Sequence, residues 1–210
     1  MIYSQGMITN ETLYKVSNTF LNHRRNNMKI KFMGKFNNDP ESLPSDPITA
    51  YSNKLIEPDN YKNIMTIFSI VLLFVFGAIF CLRTGISKIN NVGILLWVLS
   101  VIPHELIHAM AFKEVVYLYF NLPFGAFVYS QGHLKKSEFI TMSLMPNIVF
   151  GFIPFAIYLL FPTFNILGTF GLCAIISGAG DYLNVYNVVK QVPSKAYVYM
   201  NKMDTYWYDK

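Results

Sequence analysis

Four apolar runs dominate this chain, each close to the roughly 20 residues that a helix needs to cross a bilayer core. The first covers residues 63–82 and carries no charge; the second, 92–112, contains His104, Glu105 and His108. The third, 139–161, is again uncharged, and the fourth, 164–189, has Asp181 as its only acid. In lipid every backbone N–H and C=O must be paired within the protein, so runs of this kind are read as helices. The expected fold class is an all-α integral membrane protein with about four transmembrane helices. Only Pro162 and Thr163 separate the third and fourth runs, which predicts a tight helical hairpin.

The segments between the runs carry less regular structure. Val115–Phe120 and Ala126–Tyr129 are rich in β-branched and aromatic residues, with a turn-like Asn121–Gly125 between them. They predict a small β-hairpin between spans two and three. Residues 196–200 form another short strand candidate. Residues 37–44, with their Asx and proline content, read as loop. The chain thus divides into a polar amino-terminal segment (1–62), a transmembrane core (63–189) and a short tail (190–210). Residues 1–27 read either as disordered or as sequence upstream of a start at Met28. No apolar core of a secretory signal is present in the first 60 residues.

Composition supports the membrane reading. Hydrophobic residues make up 53% of the chain and charged residues 14%, against about 25% charged in soluble domains. Of the 17 Lys and Arg residues, only Arg83 and Lys88 fall on one side of a four-span arrangement. The other fifteen fall on the side of the termini, which places both termini in the cytoplasm. The lipid bilayer is therefore an expected partner. The basic residues form no stripe interleaved with aromatics, so nucleic acid is not expected. Cys81 and Cys173 lie inside apolar runs and form no C-x-x-C pair; both read as small buried hydrophobes.

The chemistry concentrates in His104-Glu105-Leu106-Ile107-His108. On a helix, positions i and i+4 leave the same face one turn apart, so two imidazoles can reach one cation. Such a pair binds Zn2+, whose Lewis acidity brings the pKa of water to about 7, and the neighbouring Glu105 is placed to act as general base. Ionisable groups in an apolar span are costly, which favours a functional reading over two histidines satisfied at a helix end.

A tetrahedral site requires a third protein ligand. Asp181 is the candidate, set among Ser177, Gly178 and Asn184 on one helix face. Its depth from the end of span four resembles that of the histidines in span two. A structural hydrogen bond is the plainer reading of the same residue. Glu114, six residues after His108, occupies the third-ligand place of the metzincin pattern but lacks the glycine that pattern requires, Ala111 standing there instead. His133 reads as a surface histidine near the hairpin, and His23 as a residue without a role. Asn147, beside Pro146, is read as a kink with a satisfied amide or as a substrate-orienting group. The hairpin either presents a sheet edge to an extended peptide or lies on the membrane surface.

The stretch Pro103–Ala109 resembles a family of zincin-type membrane peptidases, largely bacterial and catalogued as a domain of unknown function. The resemblance continues through Gly125–Tyr129, Met145-Pro146, Ser177–Asp181, Val192–Ala196 and Tyr206–Tyr208. That family looks related to site-two proteases, which cut membrane-embedded substrates. The resemblance implies His104, His108 and Asp181 as zinc ligands and Glu105 as the catalytic base. Site-two proteases place a glycine after the aspartate and an Asn-Pro motif upstream. Here Tyr182 follows Asp181, and the upstream order is Pro146-Asn147.

The function expected from sequence is a zinc metallopeptidase of the HExxH type in a bacterial cell membrane, acting on membrane proteins or peptides. The alternatives are a non-catalytic scaffold, immunity or regulatory protein retaining the zincin fold, and a metal-handling membrane protein.

Overall fold

The computed structural model describes residues 29–48, 51–121 and 125–209. The expectations for residues 1–27, His23 included, and for Leu122-Pro123-Phe124 at the hairpin tip lie outside the described residues.

Each apolar run is helical, but three of the four are interrupted. The first forms α1 (Tyr61–Thr84), uninterrupted over 24 residues with Phe80 as its only buried residue. At 1.5 Å per residue it is about 36 Å long. An apolar helix that its own protein leaves so uncovered needs another apolar medium around it. The second run forms α2 (Asn91–Leu99) and α3 (Val101–Ala109), separated at Ser100. Pro103 falls in the first turn of α3, where its missing N–H costs nothing.

The third run begins as α4 (Lys136–Asn147), widens into a π-helical turn over Ile148–Phe152 and ends as α5 (Ile153–Leu160). Pro146 and Pro154 flank that wide turn, each removing one donor from the helical ladder. The fourth run forms α6 (Asn165–Ser177) and α7 (Ala179–Gln191), bent by 47° at Gly178. Three helical stretches are long and apolar enough to cross a membrane, or four if the bent pair counts as one.

The all-α expectation is corrected: two small sheets flank the helices. The first contains β1 (Ile30–Lys35), β3 (Val116–Asn121) and β4 (Gly125–Tyr129) in the order β1-β3-β4. The expected hairpin is β3 and β4, paired antiparallel from Tyr117↔Tyr129 to Asn121↔Gly125. β1 joins it in parallel, with a bulge between Phe32 and Gly34. The second sheet runs β2 (Asn53–Lys54), β7 (Asp204–Tyr208), β6 (Tyr197–Asn201), β5 (Leu134–Lys135), all antiparallel. β6 answers to the expected tail strand. β1, β2, β5 and β7 were not expected: β1 and β2 pair with strands distant in sequence, of which local pattern carries little, whereas β7 is the hairpin partner of its neighbour β6.

One apolar core joins sheet to bundle. Ala109, Phe112, Val116, Phe139, Val188, Val192 and Val198 pack together where α3, α4, α7 and the second sheet meet. Lys136 belongs to this junction as well. Its ammonium donates to the carbonyls of Val189 (3.1 Å) and Val192 (2.5 Å), satisfying orphan acceptors at the end of α7. A second core of Phe80, Phe155, Tyr158, Leu172 and Ile175 holds α1, α5 and α6 at the other end. Cys81 corrects a smaller expectation: it lies on the exposed face of α1, and Cys173 is half-buried.

α6 is the hub of the bundle, and glycine makes its close contacts possible. A Cβ at Gly93 would stand 2.6 Å from the Ile166 carbonyl oxygen, and one at Gly171 would stand 2.7 Å from both the Gly151 oxygen and the Phe155 nitrogen. These are backbone atoms that no side-chain rotation can move. Gly93→Ala and Gly171→Ala are each expected to destabilise the purified protein by about 1–3 kcal/mol. Gly77→Ala is the control, since its Cβ would meet only Leu73 Cδ1 at 3.8 Å. Thermal unfolding in detergent measures all three, and equal melting temperatures would contradict the close helix approach.

Candidate metal centre

α3 carries His104, Glu105 and His108 at the core of the helical bundle. The rings of His104 and His108 lie one turn apart, their centroids separated by 4.9 Å with planes at 73°. One ligand atom from each of His104, Glu105 and His108 falls within 4.8 Å of the others. His108 is buried and His104 half-buried. Across from them stands Asp181, in the first turn of α7 just beyond the bend at Gly178. That bend aims the start of α7 at α3, and a carboxylate in a first turn is favoured by the helix dipole.

Asp181 divides its oxygens between the two rings. His104 Nε2 lies 3.3 Å from Oδ2, and His108 Nε2 lies 3.6 Å from Oδ1. The structure therefore brings together the three residues singled out from sequence, His104 and His108 from α3 and Asp181 from α7.

The far side of His108 fixes its proton. Nδ1 lies 2.9 Å from the Met142 carbonyl oxygen, which can only accept, so Nδ1 carries the hydrogen. A neutral ring then presents the Nε2 lone pair to a carboxylate, and two acceptors facing each other call for a proton or a cation between them. The spacing suits a cation. Ligand atoms at neighbouring corners of a tetrahedron with bonds of about 2.0–2.2 Å lie about 3.3–3.6 Å apart. The two observed separations, each to a different Asp181 oxygen, fall within that range. Two imidazoles and a carboxylate are also a donor set that zinc accepts in catalytic sites, leaving a fourth position open.

The Met142 carbonyl owes its availability to Pro146. In a regular helix that carbonyl would accept from the N–H four residues later, which proline lacks. The orphaned acceptor is used by the imidazole instead. Sequence reasoning did not find this partner, although the signal was present: a proline four residues beyond any helical residue frees that residue's carbonyl.

Glu105 is held from the sheet. Its Oε2 accepts the Val128 backbone N–H at 3.0 Å. Val128 pairs across from Leu118, and an N–H turned to Glu105 is turned away from β3. The outer edge of β4 thus faces the site. A cavity of about 340 Å³ opens there, lined by His104, Glu105, Ala126, Trp97 and Asp181 among others. Trp97 Nε1 donates to Ser177 Oγ at 3.1 Å, tying α2 to α6 beside the cavity. Asn184, expected in a polar stripe with Asp181, accepts from Tyr61 Oη at 2.9 Å and so ties α1 to α7.

The weaker candidates stay outside the cluster. Glu114 follows α3, where its carboxylate accepts the Lys113 N–H at 3.2 Å. His133 stacks on Tyr199 at 4.5 Å, with Nδ1 3.1 Å from Tyr208 Oη, as part of the second sheet. Asn147 does not face the cavity as a substrate-orienting group would. Its Nδ2 donates to Asp181 Oδ2 at 2.7 Å.

No curated protein and no solved structure gives a match to the chain. A family model does. Residues 96–197, the segment that contributes His104, Glu105, His108, Asn147 and Asp181, match the model of a family described as "Putative zincin peptidase".

Proposed function

We propose that this protein is a membrane-embedded zinc metallopeptidase that hydrolyses peptide bonds of membrane-associated substrates. One observation carries the reading: the Asp181 carboxylate lies 3.3 Å from His104 Nε2 and 3.6 Å from His108 Nε2, and ligand atoms of both imidazoles and of Glu105 lie within 4.8 Å of one another. The family match supports a peptidase and implies zinc as its cofactor. His104, His108 and Asp181 would hold the ion.

Zinc in such a site supplies Lewis acidity, polarising a carbonyl and acidifying water. The remaining work falls to the protein. Glu105 accepts a proton from the attacking water and returns it to the leaving amine. The Val128 N–H holds one of its oxygens, which leaves the other to exchange the proton. The Met142 carbonyl holds His108 in the tautomer that turns Nε2 to the ion. The β4 edge orients substrate. With Val128 turned outward, the alternation of an antiparallel strand turns the Ala126 N–H and C=O outward as well. An extended peptide laid on that edge runs past His104 and Glu105 along the cavity.

Placement in the membrane rests on the uncovered apolar surface of α1 and on the other helices of spanning length. The distribution of Lys and Arg puts both termini in the cytoplasm, and the site then opens toward that side.

Purified protein should contain about one zinc per chain, the stoichiometry expected of a single site with three protein ligands. His104→Ala, His108→Ala and Asp181→Ala should each lose most of it, as read by elemental analysis. Retention of full zinc by the Asp181 variant would remove that residue from the ligand set. Glu105→Gln should keep its zinc and lose peptide hydrolysis by a factor of about 100 or more. The assay compares membrane proteomes of cells expressing the wild type and this variant. Full activity in Glu105→Gln would sink the mechanism, whereas zinc binding with no cleavage by the wild type would favour a scaffold.

A further inference from the structure

Asn147 is the last residue of α4, immediately before the π turn, and its side chain is almost wholly buried, at 1% exposure. Nδ2 donates to Asp181 Oδ2 at 2.7 Å and to the Ser143 carbonyl at 3.2 Å. Both partners only accept, so chemistry fixes which end of the amide is NH2. Oδ1 therefore points the other way, toward the bend between α6 and α7.

That end of the amide fits because residue 178 is glycine. A Cβ there would lie 1.8 Å from Asn147 Oδ1 and 2.6 Å from its Cγ. No side chain at position 178 can coexist with the amide as placed. The Tyr182 hydroxyl stands 3.0 Å from the same point. The amide is thus gripped from three sides: Ser143 behind it, Gly178 beneath it and Asp181 in front. The oxygen of Asp181 that it holds is the one nearest His104.

We infer that Asn147 is a positioning residue for the metal centre. Its amide fixes the Asp181 carboxylate in the orientation that faces both imidazoles, and Gly178 supplies the space the amide occupies. The inference rests on the metal-centre reading above. A carboxylate otherwise free to turn about its side-chain bonds is held by a charge-assisted hydrogen bond from a buried amide. Pro146 and Asn147 then act on the two halves of the centre. Pro146 frees a carbonyl for His108, and Asn147 anchors Asp181.

The test measures metal affinity of the full-length protein in detergent, by titrating Zn2+ against a competing chelator and by recording the visible spectrum of the Co2+ form. Asn147→Ala should weaken zinc binding about 10–100-fold, the usual cost of losing a partner of a metal ligand. Gly178→Ala should weaken it comparably, because the new methyl displaces the amide. The double variant should bind no more weakly than Asn147→Ala alone, since the atoms that the methyl strikes are gone. Asn147→Asp, which keeps the volume and loses the donor, should also bind weakly. It serves with Gly178→Ala if the alanine variant does not fold.

Asn147→Ala with wild-type affinity and an unchanged Co2+ spectrum would overturn the inference, even if its metal-free form melted at a lower temperature. Losses that multiply in the double variant would overturn the linkage to Gly178. A wild type that takes up no metal refutes the metal centre itself, an outcome distinct from a wild type that binds and an Asn147 variant that binds equally well.

Discussion

A carboxylate facing two imidazole nitrogens inside a bundle of apolar helices is the constraint around which the rest of the structure is arranged. Removing an unpaired carboxylate from water costs several kcal/mol, and attraction to a partner offsets this only when the geometry is good. Asp181 meets that condition through three side chains from two other helices: His104 and His108 from α3 and Asn147 from α4. With Nδ1 of His108 committed to the Met142 carbonyl, the charge of Asp181 is best neutralised by something held between the rings and the carboxylate. A divalent cation would do this more completely than a single shared proton, because both rings could ligate it at once. The burial that makes the cluster expensive when incomplete also strengthens every electrostatic contact within it.

The helices reach this arrangement through their interruptions. A straight helix presents one continuous apolar face, as α1 does. The other three runs are each broken near the site, at Ser100, at the π turn after Asn147 and at Gly178. Each break has an identifiable chemical cause in proline, in a serine that bonds back to its own helix, or in glycine. Ser100 Oγ donates to the Trp97 carbonyl at 2.7 Å, so even this freed group has a partner. Breaks within apolar runs expose polar backbone, which is tolerable in a low-dielectric setting only where protein groups take it up. Here those groups belong to the site.

This explains which parts were legible in the sequence. Length and hydropathy located all four runs, and a spacing of four between histidines sufficed to place two imidazoles on one helix face. Asp181 stood out as the only acid in its run, and the structure sets it against both rings. The sheets were harder. β3 and β4 are adjacent in sequence and were read from their own composition. β1 pairs with a strand about 85 residues away, and β2 with one about 150 away, so neither pairing leaves a local trace. The hydrogen-bond partners of the site residues were hidden for a different reason. The Val128 N–H and the Met142 carbonyl are backbone groups that every residue carries, so residue identity does not mark them. Asn147 was visible as a polar residue in an apolar run, but nothing short of coordinates assigns its amide to Asp181 rather than to substrate.

The two sheets give the bundle something it could not build from helices. A peptide bond can be hydrolysed only when its backbone is extended and accessible, and a helix in lipid offers neither. The β4 edge provides hydrogen-bonding groups at the mouth of the cavity, with one amide already spent on Glu105. Glu105, the proposed general base, and the strand that would receive substrate are therefore one mechanical unit. A shift of β4 moves the carboxylate, and a peptide that draws β4 into register also sets Glu105 relative to the two histidines. In the proposed mechanism, recognition and proton transfer would be coupled through a single backbone hydrogen bond of 3.0 Å. The apolar core at the foot of α3, where Ala109, Phe112 and Val116 pack against Val188 and Val198, keeps that strand in place as the chain leaves the helix.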